Sequence, residues 1–210
     1  MKIIINGEES KETFSSNTLG GILDQIQELK TVPGTVIAYL TLDGQSVDFS
    51  SDTDNGRTIR AREAAEVGVM EVEISSVQEI VLKNLENAEA YLEKLIPGIL
   101  KGAELFQRED EVEANKFFIN IIDGMDWLSQ VLDGVFKTMQ IEPESIEFQG
   151  KTLAERQVFL VDLTKQILEA NGAKDWVLTA DLLEYEVAPF YQEWSKWLPE
   201  LKSRIVEVDN

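Results

Sequence analysis

Histidine and cysteine are both missing from this chain of 210 residues. Without cysteine there is no disulfide, no thiolate nucleophile and no thiolate metal site. Without histidine the chain lacks the usual general base near neutral pH and the commonest transition-metal ligand. Zinc centres, Ser-His-Asp triads and the Glu-x-x-His pattern of helical di-iron proteins are excluded on the same ground. Phosphate-cradling signatures are absent too: there is no G-x-G-x-x-G, no glycine-rich loop followed by Lys, and no G-x-S-x-G turn.

Positive charge is scarce. Lys and Arg number 19 against 39 Asp and Glu, a formal net charge of -20. A field of that sign repels phosphate backbones and anionic headgroups, so neither nucleic acid nor a membrane surface is an expected partner. A basic or amphipathic protein partner fits the charge. No uncharged apolar run approaches the roughly 20 residues that a membrane span needs. The amino terminus turns acidic after Ile3-Ile4-Ile5 and reads as neither a signal peptide nor a transit sequence. Cytoplasmic residence, in a bacterial source, is the expectation.

What is present divides by period. Up to Ser75 the pattern is short and β-like. Lys2–Ile5 runs into Asn6-Gly7, a hairpin turn whose residues tolerate positive φ, and a return strand is predicted over about Glu9–Ser15. Leu19, Ile22, Leu23, Ile26 and Leu29 form one face of a helix started by Asn17 or Thr18. Val36–Leu42 is a strand ending in Asp43-Gly44, with Gln45–Phe49 returning from it. Val67–Ile74 is another, its apolar residues alternating with Glu71 and Glu73. Between them Ser50–Arg57 reads as a flexible polar loop. Setting Asp52 first in a calcium loop places Asp54 third and Glu63 twelfth, but Gly56 falls fifth instead of sixth and no helix precedes it. No metal is expected there.

From Ser76 the period becomes about 3.6. Val77–Phe106 is helical with an interruption expected at Pro97-Gly98. After a solvated connector, Gln107–Asp110, the most apolar helix covers Glu111–Met139. A loop spans Glu142–Gly150. Leu153–Ala170 follows, carrying Leu160, Val161, Leu163, Ile167 and Leu168 and stopped in left-handed conformation at Asn171-Gly172. Asp175 then caps a last helix with the stripe Trp176, Ala180, Leu183, Val187, Tyr191, Trp194, Leu198, Leu201 and Ile205, bent near Pro189. Short connections imply antiparallel neighbours. The expected fold is α+β: a β-grasp-like domain over residues 1–75 and an antiparallel four-helix bundle over residues 76–210.

The strand and helix order of Met1–Ser75 resembles the β-grasp fold of ubiquitin-like and sulfur-carrier proteins. Their activated Gly-Gly tail is absent, because Ser75 runs directly into a helix, so the carrier function does not transfer. Asn120–Leu128 (Asn-Ile-Ile-Asp-Gly-Met-Asp-Trp-Leu) and Asp181–Pro189 (Asp-Leu-Leu-Glu-Tyr-Glu-Val-Ala-Pro) resemble uncharacterised bacterial proteins that join a small β domain to an acidic helical bundle. More distantly, the run Ile121-Ile122-x-x-Met125-x-x-Leu128 and Trp194 are similar to the flagellin-export chaperones. That resemblance implies a bundle that holds a segment of another protein.

Carboxylate pairs such as Asp123 with Asp126 and Asp181 with Glu184 lie three apart, as chance allows among so many acids. They read as solvated faces. Tyr185, Phe190 and Trp197 lie beside the last helix's stripe and are the candidate partner-binding residues. No catalytic residue, cofactor or metal is expected. The leading function is a non-enzymatic interaction or chaperone-like module. A self-associating structural domain is one alternative, and a carboxylate-based cation or enzymatic site is another.

Overall fold

Two hairpin turns organise the β-rich part of the chain. β1 (Lys2–Ile5) turns through Asn6 and Gly7, both at positive φ, into β2 (Glu8–Glu9). β3 (Thr35–Leu42) turns through Asp43 and Gly44, again both at positive φ, into β4 (Gln45–Ser46). Each turn also uses its polar side chain to grip β5 (Val69–Ser76). The Asn6 Oδ1 accepts from the Ile74 amide at 2.7 Å, and the Asp43 Oδ1 accepts from the Val69 amide at 2.8 Å. β5 lies at the centre, parallel to β1 and antiparallel to β3, in a mixed sheet of order β2-β1-β5-β3-β4. The return strands are shorter than the sequence predicts. Past Ser10 and Val47 the chain leaves the ladder, and edge strands this short resist pairing with other chains.

One face of the sheet is covered by α1 (Leu19–Lys30), capped by the Thr18 hydroxyl, which accepts from the Gly21 amide at 3.3 Å. Leu19, Ile22, Leu23 and Ile26 are buried against Leu40, Leu42, Met70 and Val72. The loop expected over Ser50–Arg57 is a correction in its second half: Asp54–Arg57 open α2 (Asp54–Ala61), because Thr53 caps the helix and accepts from the Gly56 amide at 2.9 Å. The Asp48 carboxylate braces that cap, accepting from the Thr53 hydroxyl and the Ser50 amide, which holds its pKa below the usual carboxylate value.

The computed structural model describes residues 1–108 and 110–208; Glu109 of the predicted connector, with Asp209 and Asn210, lies outside them. The chain is α+β and separates into two compact units, Met1–Ile80 and Val81–Asn210. α3 (Val77–Gln107) begins in a capping box, where the Ser76 amide donates to Glu79 Oε2 at 2.9 Å and the Glu79 amide to Ser76 Oγ at 3.1 Å. It runs through Pro97 without the predicted interruption. Glu93, whose carbonyl loses its partner there, is exposed, so the freed group faces solvent.

α4 (Glu111–Thr138) and α5 (Leu153–Gly172) follow. The predicted loop between them contains a second correction, a small hairpin of β6 (Glu147–Phe148) and β7 (Lys151–Thr152) turning through Gln149 and Gly150 at positive φ. A third lies after α5: Gly172 stays helical, and the left-handed residue is Lys174 at φ 58. The last pass is α6 (Trp176–Leu182), a π-helical turn (Leu183–Val187) and α7 (Ala188–Val208). α3 and α4 run antiparallel. Gly102 of α3 faces Ile121 of α4 while Gly124 faces Tyr91 and Leu95, and Lys202 of α7 reaches Glu89 of α3 at 2.7 Å.

Candidate functional site

The last helical pass changes from α to π winding just before Pro189, and the geometry explains how. A proline at this position has no N–H for the Tyr185 carbonyl, and its ring crowds that carbonyl. The chain takes one extra residue into the preceding turn, so the Ala188 amide bonds the Leu183 carbonyl five residues back. Such π turns recur at functional sites. Here the turn carries Tyr185 outward, where it is 62% exposed. The adjacent Glu184 carboxylate is the main cause of a raised Tyr185 pKa, so the phenol stays neutral in ordinary buffers.

The other two candidate residues are placed differently, and this is a correction. Trp197 is 2% exposed. It meets Trp194 edge-on at 4.7 Å and touches Phe136 and Phe148 at 6.2 Å and 6.1 Å. Neighbours on α4 and on the β6–β7 hairpin cover it from a side that the helical stripe alone does not reveal. Phe190 is buried too, against Phe159, Tyr191 and Trp194. It remains part of the wall of two clefts, one of which also includes Tyr185. Of the three residues, the structure therefore brings Tyr185 and Phe190 together and sends Trp197 into the core.

The first cleft lies between α4 on one side and α5 with α7 on the other. Its volume is about 450 Å³ and its floor is Leu132, Leu160, Phe190, Tyr191 and Trp194. Asp126 and Asp133 stand at its rim. Burial drives the Tyr191 hydroxyl pKa upward, so that group is neutral. Tyr191 Oη and the indole nitrogens of Trp194 and Trp197 are buried and, among the described residues, have no hydrogen-bond partner.

Arg156 separates the first cleft from a second one of about 390 Å³ between α5, the π turn and α7. Only 6% of its side chain is exposed. Nη1 donates to Glu193 Oε2 at 2.6 Å and Nη2 to the Phe148 carbonyl at 2.9 Å, while the guanidinium lies 5.5 Å from the Phe148 ring centroid. Sequence reasoning missed this residue, although a signal existed. Leu153, Arg156, Leu160, Leu163, Ile167 and Ala170 follow the three-four spacing of the inward face of α5, and an arginine on that stripe has to find partners inside. By contrast Val161 and Leu168, expected on the apolar face, are exposed.

The carboxylate pairs are not joined into sites. Asp123, Asp126 and Asp181 are exposed, and Glu184 accepts from Gln107 Nε2 at 2.8 Å. Among the described residues, no group of three or more carboxylates is placed to hold a metal ion. In the first unit the open face of the sheet forms a shallow concavity of about 680 Å³ past Ile4, Tyr39, Thr41, Glu71 and Glu73. Its lining is acidic, with Glu79 beside Glu71 and Glu73. No described helix is long and apolar enough to cross a membrane.

Residues 83–196 match the model of a domain of unknown function, DUF8042. Every residue of the two clefts falls inside that span. No curated protein and no solved structure matches the chain.

Proposed function

This chain belongs to the DUF8042 family, a domain of unknown function, and we propose that its helical unit is a non-enzymatic protein-interaction module, chaperone-like in holding a partner segment. The helical unit reads as an antiparallel four-helix bundle and the first unit as a β-grasp-like domain, a cytoplasmic pairing of scaffold and binding surface. The occupant of the first cleft is a basic amphipathic helix of another protein. The observation that carries this is the cleft itself: an aromatic and aliphatic floor between carboxylates, in a chain of net charge -20. Apolar anchors in a helix at steps of three and four would fill such a floor, and flanking Lys or Arg would meet the rim. Rim charges speed association and make it salt-dependent.

Isothermal titration with two designed helical peptides of equal apolar content, one Leu/Lys and one Leu/Glu, tests the reading. The Leu/Lys peptide is expected to bind and to weaken as salt rises from about 50 to 500 mM, where the Debye length shrinks several-fold. Equal binding of both peptides, or of neither, would sink it.

A second reading rests on α5. Val158 and Val161 lie three apart on its outer face and are each 71% exposed. Self-association through that stripe predicts a dimer by light scattering that Val158→Lys abolishes.

A further inference from the structure

The second cleft has walls unlike those of the first. Phe159, Tyr185 and Phe190 present aromatic surface, and Glu155, Glu186 and Glu193 stand among them. Aromatic faces carry negative electrostatic potential and attract ammonium or guanidinium groups placed within about 6 Å of the ring centre. The chain already shows this at the site. Lys151, an exposed residue of the cleft wall, holds its Nζ 5.7 Å from the Phe159 centroid. Glu193 is 43% exposed and gives one oxygen to Arg156, which leaves the other for a second cation. Glu184 and Asp181 add negative field at Tyr185.

We infer that the second cleft is a cation subsite that takes the side chain of a lysine or arginine on the partner segment. The head group stacks on Phe159 and Tyr185 and pairs with Glu186 and Glu193. Lys151 is the resident cation that gives way. The two clefts share Arg156 and Phe190, so an anchor in the first and a cation in the second belong to one bound segment. One helical turn, about 5.4 Å of rise, separates residues that share a helix face in such a segment. This inference rests on reading the first cleft as the docking groove.

Two titrations test it. The first uses N-acetyl-lysine methylamide as the probe and follows the ring resonances of Phe159, Tyr185 and Phe190. Saturable shifts are expected. Tyr185→Ala and Glu186→Gln, both at exposed positions that the fold tolerates, should each weaken binding about fivefold. Lys151→Met should tighten it, an effect that a purely structural role for Lys151 does not produce. The second titration uses the Leu/Lys peptide and a version with every lysine replaced by neutral homocitrulline. A Leu/Lys peptide that binds the first cleft but ignores all three substitutions overturns the cation subsite and leaves the groove standing. Ring shifts with the small probe while the peptide fails to bind overturn the groove and leave the cation site. Unmoved rings in the first titration overturn the subsite whatever the peptide does.

Discussion

Arg156→Ala is expected to lower the stability of the helical unit by about 2–3 kcal/mol, while Arg156→Met should stay within about 1 kcal/mol of the parent. The asymmetry follows from what each change leaves behind. Both changes remove the two donated hydrogen bonds, but only alanine also opens the wall between the two clefts. Loss of the buried stem adds a cavity term. The full penalty for breaking a buried ion pair does not apply, because Glu193 is partly exposed and water solvates its charge. Methionine fills the stem's volume and carries no charge to desolvate. Urea unfolding followed by far-UV circular dichroism measures both variants. Equal losses for the two would show that volume is irrelevant and that the ionic contact alone holds α5 to α7.

Gly56→Ala carries the second large effect, and its sign is opposite to the usual one. In a helix interior alanine is favoured over glycine by about 0.8–1.0 kcal/mol. Gly56 lies in the first turn of α2, yet a Cβ there would meet the Ser50 carbonyl oxygen at 2.1 Å and the Ser50 nitrogen at 2.5 Å. Both are backbone atoms in a loop pinned by Asp48 and Thr53, so neither can swing away as a side chain would. A loss of about 1–3 kcal/mol is expected from the overlap, with α2 partly detached. Gly98→Ala is the matched control. It also sits in a helix, nothing lies within 4 Å of its Cβ position, and it should raise stability by up to about 1 kcal/mol. If both substitutions move the urea midpoint the same way, the close approach at Ser50 is not real.

These two residues illustrate what the sequence made legible. Periodicity located the principal helices and the three longest strands, because burial of one face writes itself into the order of residues. Asn6-Gly7 and Asp43-Gly44 announced their turns, since positive φ selects those residue types. Gln149-Gly150 makes the same kind of turn with a residue that seldom signals it, and the hairpin went unread. Trp197 looked like a surface aromatic because its covering residues, Phe136 and Phe148, come from elements more than forty positions away. The clefts were illegible for the same reason: their walls join α4, α5 and α7, and only tertiary pairing decides which faces meet. Gly56 gave no hint at all, since its constraint is a neighbour's backbone and not its own conformation.

The π turn at Leu183–Val187 also fixes an angle. Each residue of an α-helix advances the side-chain direction by about 100°. The chain buries Thr179, Ala180 and Leu182 before the turn, Leu183 and Val187 at its two ends, and Ala188, Tyr191 and Trp194 after it. The residues before and after the turn face the same core only because the wider turn absorbs one residue. Deleting Glu186, an exposed residue of that turn, would leave an ordinary α turn and keep everything downstream in phase. Trp194 and Trp197 would stay in the core, whereas a deletion in the regular α-helical stretch after the turn would swing the residues beyond it by about 100°. At this point the helix has one residue of slack, and a single-residue deletion should cost less stability here than one placed a turn further along α7.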